Sequence, residues 1–186
     1  MIDSNKKSWI PSAHPDWVAK INAEGECFNL SAVVPLDEAS LLYEAKKTTG
    51  LSDFGDDRWV EPFRILIKAL EEEAQLTLMG RLMARNDIIT WLSTRLQVED
   101  VLNQHPEILE QEIIAPMVIV GLPRSGTSIL FELLSQDQDV GVPQTWEAMR
   151  PCPPPEAATY NSDPRIKECH QMITQCAESL SHLPYI

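Results

Sequence analysis

The chain reads as an α/β protein, a parallel sheet with flanking helices built around a glycine-rich loop, incomplete in this chain and preceded by an α-helical N-terminal region. Three observations predict this. The apolar run Pro116 to Val120 leads into Gly121-Leu122-Pro123-Arg124-Ser125-Gly126-Thr127-Ser128 and then into helical periodicity, giving the order strand, glycine turn, helix. Residues 36–115 carry helix periods with start and stop signals. After Ser128 there is room before Ile186 for one short strand, Val140 to Val142, and one long helix, whereas each βα crossover of a doubly wound sheet takes roughly 30 residues or more.

Taken in order, residues 1–35 are turn-rich and predict an irregular arm. Residues 36–115 predict a helical cap region, placed to cover an active site or to form a homodimer face. Within it, Asp37 to Lys47 sets Leu41, Leu42 and Ala45 on one side and stops at Gly50, followed by a loop from Leu51 to Asp57. Phe63, Leu66, Ile67, Leu70 and Ala74 mark a second helix. A third runs from a Thr77 cap to Gln104, with Leu78, Leu82, Ile89, Leu92 and Leu96 on its seam and His105-Pro106 closing it. Residues 116–186 predict the first part of the loop-bearing domain. Its last helix is capped by Asp163 with Pro164 in the first turn, and carries Cys169 and Cys176 on an apolar stripe as core thiols.

The loop has the spacing of the P-loop, G-x-x-x-x-G-K-[ST], except that Thr127 replaces the lysine and Arg124 enters the loop. Its glycines allow a tight turn, and the amides of Ser125 to Ser128 are expected to point at an anion ahead of the first helical turn. Without the lysine that reaches the β- and γ-phosphates, triphosphate chemistry is disfavoured. What fits is a nucleotide with one 5′-phosphate carrying a transferable group, with the planar donors of Arg124 aimed at the oxygens that gain charge.

At Pro123, Arg124, Ser125, Gly126, Thr127 and Ser128 the chain resembles the sulfotransferase family, in the bacterial form with arginine at the second loop position. Leu134-Ser135-Gln136-Asp137, Val140 to Pro143, Trp146-Glu147 and Pro151-Cys152-Pro153-Pro154-Pro155 look like the segments that follow the loop in bacterial sulfotransferases, so the likeness runs over residues 116–156. The resemblance implies transfer of a sulfonate group from 3′-phosphoadenosine 5′-phosphosulfate (PAPS) to an acceptor hydroxyl of a small molecule, sugar or lipid, without a metal. It assigns Pro123 to Ser128 to the 5′-phosphate and makes Arg124 the catalytic cation. The family's 3′-phosphate site has no counterpart before Ile186, which reads as the N-terminal part of a longer enzyme. The acceptor must lose a proton, and Glu147, after the second expected strand, is the candidate base; some branches of the family use a glutamate in this neighbourhood and others a histidine. Trp146 is either acceptor lining or packing.

Composition sets limits. The net charge of -13, with 28 acidic against 15 basic residues, excludes a nucleic-acid partner, and no apolar run suits a signal peptide or a membrane span. A cytoplasmic protein is expected. Cys27, Cys152, Cys169 and Cys176 show no zinc spacing, and His14, His105, His170 and His182 form no ligand cluster. Two other readings stay open: a nucleotide kinase or triphosphatase with a degenerate loop, and a non-catalytic helical interaction module.

Overall fold

The structure is a computed structural model that describes residues 13–122 and 125–180, with side chains to Gln175. It divides into two compact units, one holding residues up to Leu96 together with those from Gln175, the other Gln97–Thr174. The division falls at Leu96, inside the third helix of the expected cap region.

The first unit is helical. Residues 16–25, expected within an irregular arm, instead form α1 (Asp16–Gly25), and a short α2 (Leu30–Val33) follows, capped by the Asn29 side chain, which accepts from Ala32 N at 3.4 Å. The turn-forming residues there are helix signals: Pro15 stands at the N-cap and Asp16 places a carboxylate in the first turn. Gly25 is buried where α1 meets the start of α5 (Leu78–Gln104), and a Cβ on it would sit 2.6 Å from Leu78 Cβ. Asn22 of α1 accepts the amide of Met79 at 3.1 Å, and Thr77 Oγ1 accepts that of Gly80 at 3.3 Å, so the amides that open α5 are capped from two sides.

Helix α3 (Glu38–Thr49) starts on Asp37, whose carboxylate accepts from Ser40 N at 2.9 Å, and stops at Gly50 in the left-handed region at φ 72. A 3-10 turn (Asp57–Trp59) leads into α4 (Val60–Glu72). Leu41 and Ala45 of α3, Phe63 of α4 and Ile88, Leu92 and Leu96 of α5 form the core, with Leu42, Leu51, Phe54, Trp59, Ile67, Leu70 and Ile89 packed on it. The expected seam of α5 is displaced in its first half. Leu82 is 44% exposed, and the buried positions are Arg81, Ile88, Leu92 and Leu96. Leu66 of α4 is likewise on the surface.

Arg81 takes a core position because each of its three guanidinium nitrogens has a partner. Its guanidinium donates to both carboxylate oxygens of Glu71, and Nε donates to the carbonyl of Val34 at 3.0 Å, while Arg85 donates to the carbonyl of Pro35. A buried cation is tolerable when its donors are met in this way.

In the second unit α5 ends at Gln104 and His105-Pro106 opens a 3-10 helix (Pro106–Glu110). Then come α6 (Thr127–Leu134), α7 (Thr145–Met149) and α8 (Pro164–Leu180), the last opened by Asp163, which accepts from Arg165 N at 2.9 Å. Pro116 to Val120 and Val140 to Val142 were expected as strands of a parallel sheet. No strand occurs among the described residues. A strand is defined by its ladder to a neighbour, and these segments have none: Val118 and Val120 lie 78% and 87% exposed. The parallel sheet is thus not seen among the described residues, which are helical.

Candidate functional site

The loop at Gly121 to Ser128 is closed by its own bonds. Ser125 donates to the carbonyl of Leu122 twice, through Oγ at 2.6 Å and through its amide at 3.2 Å. Gly126 then adopts φ 93, the left-handed conformation that glycine reaches at no steric cost, and caps α6. The first intrahelical bond of α6 is Leu130 N to Gly126 O at 3.0 Å, so the amides of Thr127, Ser128 and Ile129 come before the intrahelical ladder begins. Gly121 is needed for a different reason, space: a Cβ there would lie 2.6 Å from Ser125 Oγ and 2.8 Å from Thr127 Cγ2. One expectation changes. Ser125 was to offer its amide and hydroxyl outward, but both close the turn. Pro123 and Arg124 lie outside the described residues.

Glu147 sits at the third position of α7. Its Oε2 accepts the amide of Gln144 at 2.6 Å, the reciprocal bond of a capping box, because a glutamate three residues into a helix reaches back to the N-cap amide. The same oxygen accepts the hydroxyl of Tyr160 at 3.1 Å. Burial, followed by the hydrogen bond to Glu147 and its charge, pushes the Tyr160 hydroxyl above its ordinary value, so it remains a donor. No hydrogen bond joins Glu147 to residues 125–128 among the described residues.

Around this helix the side chains interlock. Trp146 is the buried apolar residue of the second unit among those described, at 7% exposure. Tyr160 packs against it with ring centroids 5.4 Å apart at 60°, and the Arg165 guanidinium lies 4.8 Å from its centroid. Arg165 is held by Asp163 through Nε at 2.9 Å and Nη2 at 2.6 Å, and donates to the carbonyls of Arg150 at 2.8 Å and Pro153 at 2.7 Å. The bond from Arg165 holds the Asp163 carboxyl below its ordinary range. Trp146 thus serves packing, and the proline-rich segment is tied to α8 through Arg165. Sequence reasoning passed over Tyr160 and Arg165; the one available signal was the Asp163-Pro164-Arg165 start of α8.

The cavity beside Trp146, lined by Met149, Arg150, Arg165, Glu168, Cys169 and Met172, is about 20 Å³, room for one water and not for an acceptor. Cys169, expected in the core, is half-buried on its wall, 3.9 Å from the sulfur of Met149; the Cys176 side chain lies outside the described ones. Burial raises the Cys152 thiol above its usual value. Among the described residues no group of three or more His, Cys, Asp or Glu is placed to hold a metal ion, and no helix is long and apolar enough to cross a membrane.

Comparison with known proteins places this loop in context. Residues 116–184 match the model of the Sulfotransferase family. The crystal structure of the sulfotransferase STF1 from Mycobacterium tuberculosis H37Rv is similar over 76% of this chain and 40% of that one, at 32% identity and a TM-score of 0.68. That of the sulfotransferase STF9 from Mycobacterium avium is similar over 80% of this chain and 37% of that one, at 28% identity and a TM-score of 0.66. No curated protein matches the chain in sequence. The resemblance carried by the loop and the segments after it is borne out, and the chain spans about 40% of the length of these solved relatives.

Proposed function

We propose that the chain is the N-terminal part of a sulfotransferase that moves a sulfonate group from PAPS to an acceptor hydroxyl, and that Pro123 to Ser128 form its 5′-phosphate loop. The observation that carries this reading is the left-handed Gly126 at the head of α6, with unladdered amides behind it, Thr127 at the P-loop lysine position and an arginine earlier in the loop sequence, inside the stretch that matches the family model. Thr127 and Ser128 supply amides and hydroxyls to the phosphate, and Arg124 supplies the charge. In transfer, the acceptor oxygen bonds to sulfur as the bond from sulfur to the 5′-phosphate oxygen breaks, and the acceptor proton passes to a base. A cation bridging the leaving oxygen and the sulfonate then favours the transition state over the ground state. Glu147 is the base in this reading, through the carboxylate that Gln144 and Tyr160 hold in place.

Titration calorimetry on the full-length gene product with adenosine 3′,5′-bisphosphate, ATP with magnesium, and AMP tests the assignment. The bisphosphate should bind most tightly, with binding weakened in Arg124→Ala. Preference for magnesium ATP would instead support a kinase or triphosphatase, and binding of none of the three an interaction module.

A further inference from the structure

We propose that Tyr160 is the residue that positions the Glu147 carboxylate for proton removal, an inference that rests on reading Glu147 as the base. Capping α7 requires only the bond from Gln144 N to Glu147 Oε2, at 2.6 Å. Tyr160 adds a second donor to the same oxygen at 3.1 Å, from an element 13 residues along the chain. With both donors on Oε2, the carboxylate is locked in its plane and Oε1 is left to meet a proton; among the described residues no hydrogen bond falls on Oε1.

The phenol is itself held in place. Its ring lies on the buried Trp146, whose ring faces Arg165, and Arg165 is fastened by Asp163 and by the carbonyls of Arg150 and Pro153. The titratable groups that interact with Glu147 include Tyr160, which stays protonated, and Arg165, which is held first by Asp163 and also feels Cys152 and Glu147; Arg150, at the end of α7, is paired with Glu168. A tyrosine whose ring packs on the buried Trp146 loses little entropy in keeping its hydrogen bond, which suits a positioning role.

The test uses the full-length gene product and radiolabelled transfer from PAPS to a panel of phenol, sugar and lipid hydroxyls. Tyr160→Phe keeps the ring and deletes the donor. It should lower kcat about tenfold or more, as expected for one hydrogen bond to a charged group, with the KM for PAPS unchanged. Fluorotyrosine at position 160, a stronger donor on the same ring, should change kcat while leaving the KM for PAPS unchanged, and it decides the matter if Tyr160→Phe fails to fold. Glu147→Gln is the companion variant. If it abolishes turnover while both Tyr160 replacements leave kcat unmoved, the positioning role is overturned and the base assignment stands. If Glu147→Gln retains turnover, the base assignment is wrong and the role of Tyr160 falls with it.

Discussion

Arg124 and Glu147 have different roles in the proposed transfer, and their replacements should fail differently. Arg124→Ala deletes a charge-assisted contact to the transferring group. The expected loss in kcat is roughly 10²- to 10³-fold, that of one preorganised oxyanion donor, with weaker nucleotide binding. Lysine restores charge without the planar fork and should rescue in part. Glu147→Gln is a clean probe because a glutamine side-chain oxygen still accepts from Gln144 N and from the Tyr160 hydroxyl, so α7 keeps its cap. It should leave nucleotide affinity nearly intact, lower kcat by roughly 10²-fold, and remove the acidic limb of the pH–rate profile. Steady-state kinetics beside nucleotide titrations separate the two patterns. Normal turnover in Glu147→Gln would mean that another group takes the proton. The loop residues were legible because glycine, proline and cap chemistry act on near neighbours in sequence. Tyr160 and Arg165 were not, because an aromatic and an arginine with no period give no sign of a partner 12 residues or more away.

Helices show the same division between local and distant causes. The start of α3 at Asp37 and its stop at Gly50, the Thr77 cap of α5 and the Asp163 opening of α8 follow from side chains within three residues of the backbone groups they serve. The buried face of α5 does not. Counting apolar positions puts Leu82 inward, but the turn is fixed by Arg81, whose partners Glu71 and Val34 lie 10 and 47 residues away. Periodicity scores an arginine as surface and cannot see the carboxylate waiting for it. Arg81→Met should therefore cost about 3 kcal/mol, the low end for a broken buried pair because Glu71 keeps 27% of its side chain exposed. The pair also sets a pH dependence. The Arg81 bond holds the Glu71 carboxyl below its ordinary 4.5, so the stabilisation is fully present above that value and is lost as pH falls through the lower folded one. Denaturant unfolding of the wild type should show stability falling from about pH 5 downward, and Arg81→Met should start lower at neutral pH and lose less across that window. Equal pH slopes in the two proteins would remove Glu71 as the source.

Across the whole chain the apolar surface is unevenly covered. The first unit buries a core shared by α3, α4 and α5, whereas around the loop of the second unit Ile113, Ile114, Met117, Val118, Val120 and Leu122 are 61–87% exposed. Helix α6 continues the pattern, with Ile129 and Leu133 at 68% and 66%. A helix with exposed isoleucine and leucine side chains and a run of exposed β-branched residues are what a sheet and its covering helices bury, and a contiguous patch beyond a few hundred Å² is a surface that binds something. The 186-residue chain should therefore associate. Light scattering should show growth in mass between micromolar and tens of micromolar concentration, and an apolar dye should brighten on the protein without denaturant. Ile129→Glu with Leu133→Lys should suppress both signals while leaving the thermal midpoint nearly unchanged, because neither side chain belongs to the core. A monodisperse wild-type chain with no dye response would show that this surface is covered in solution, and would count against the exposed state of α6.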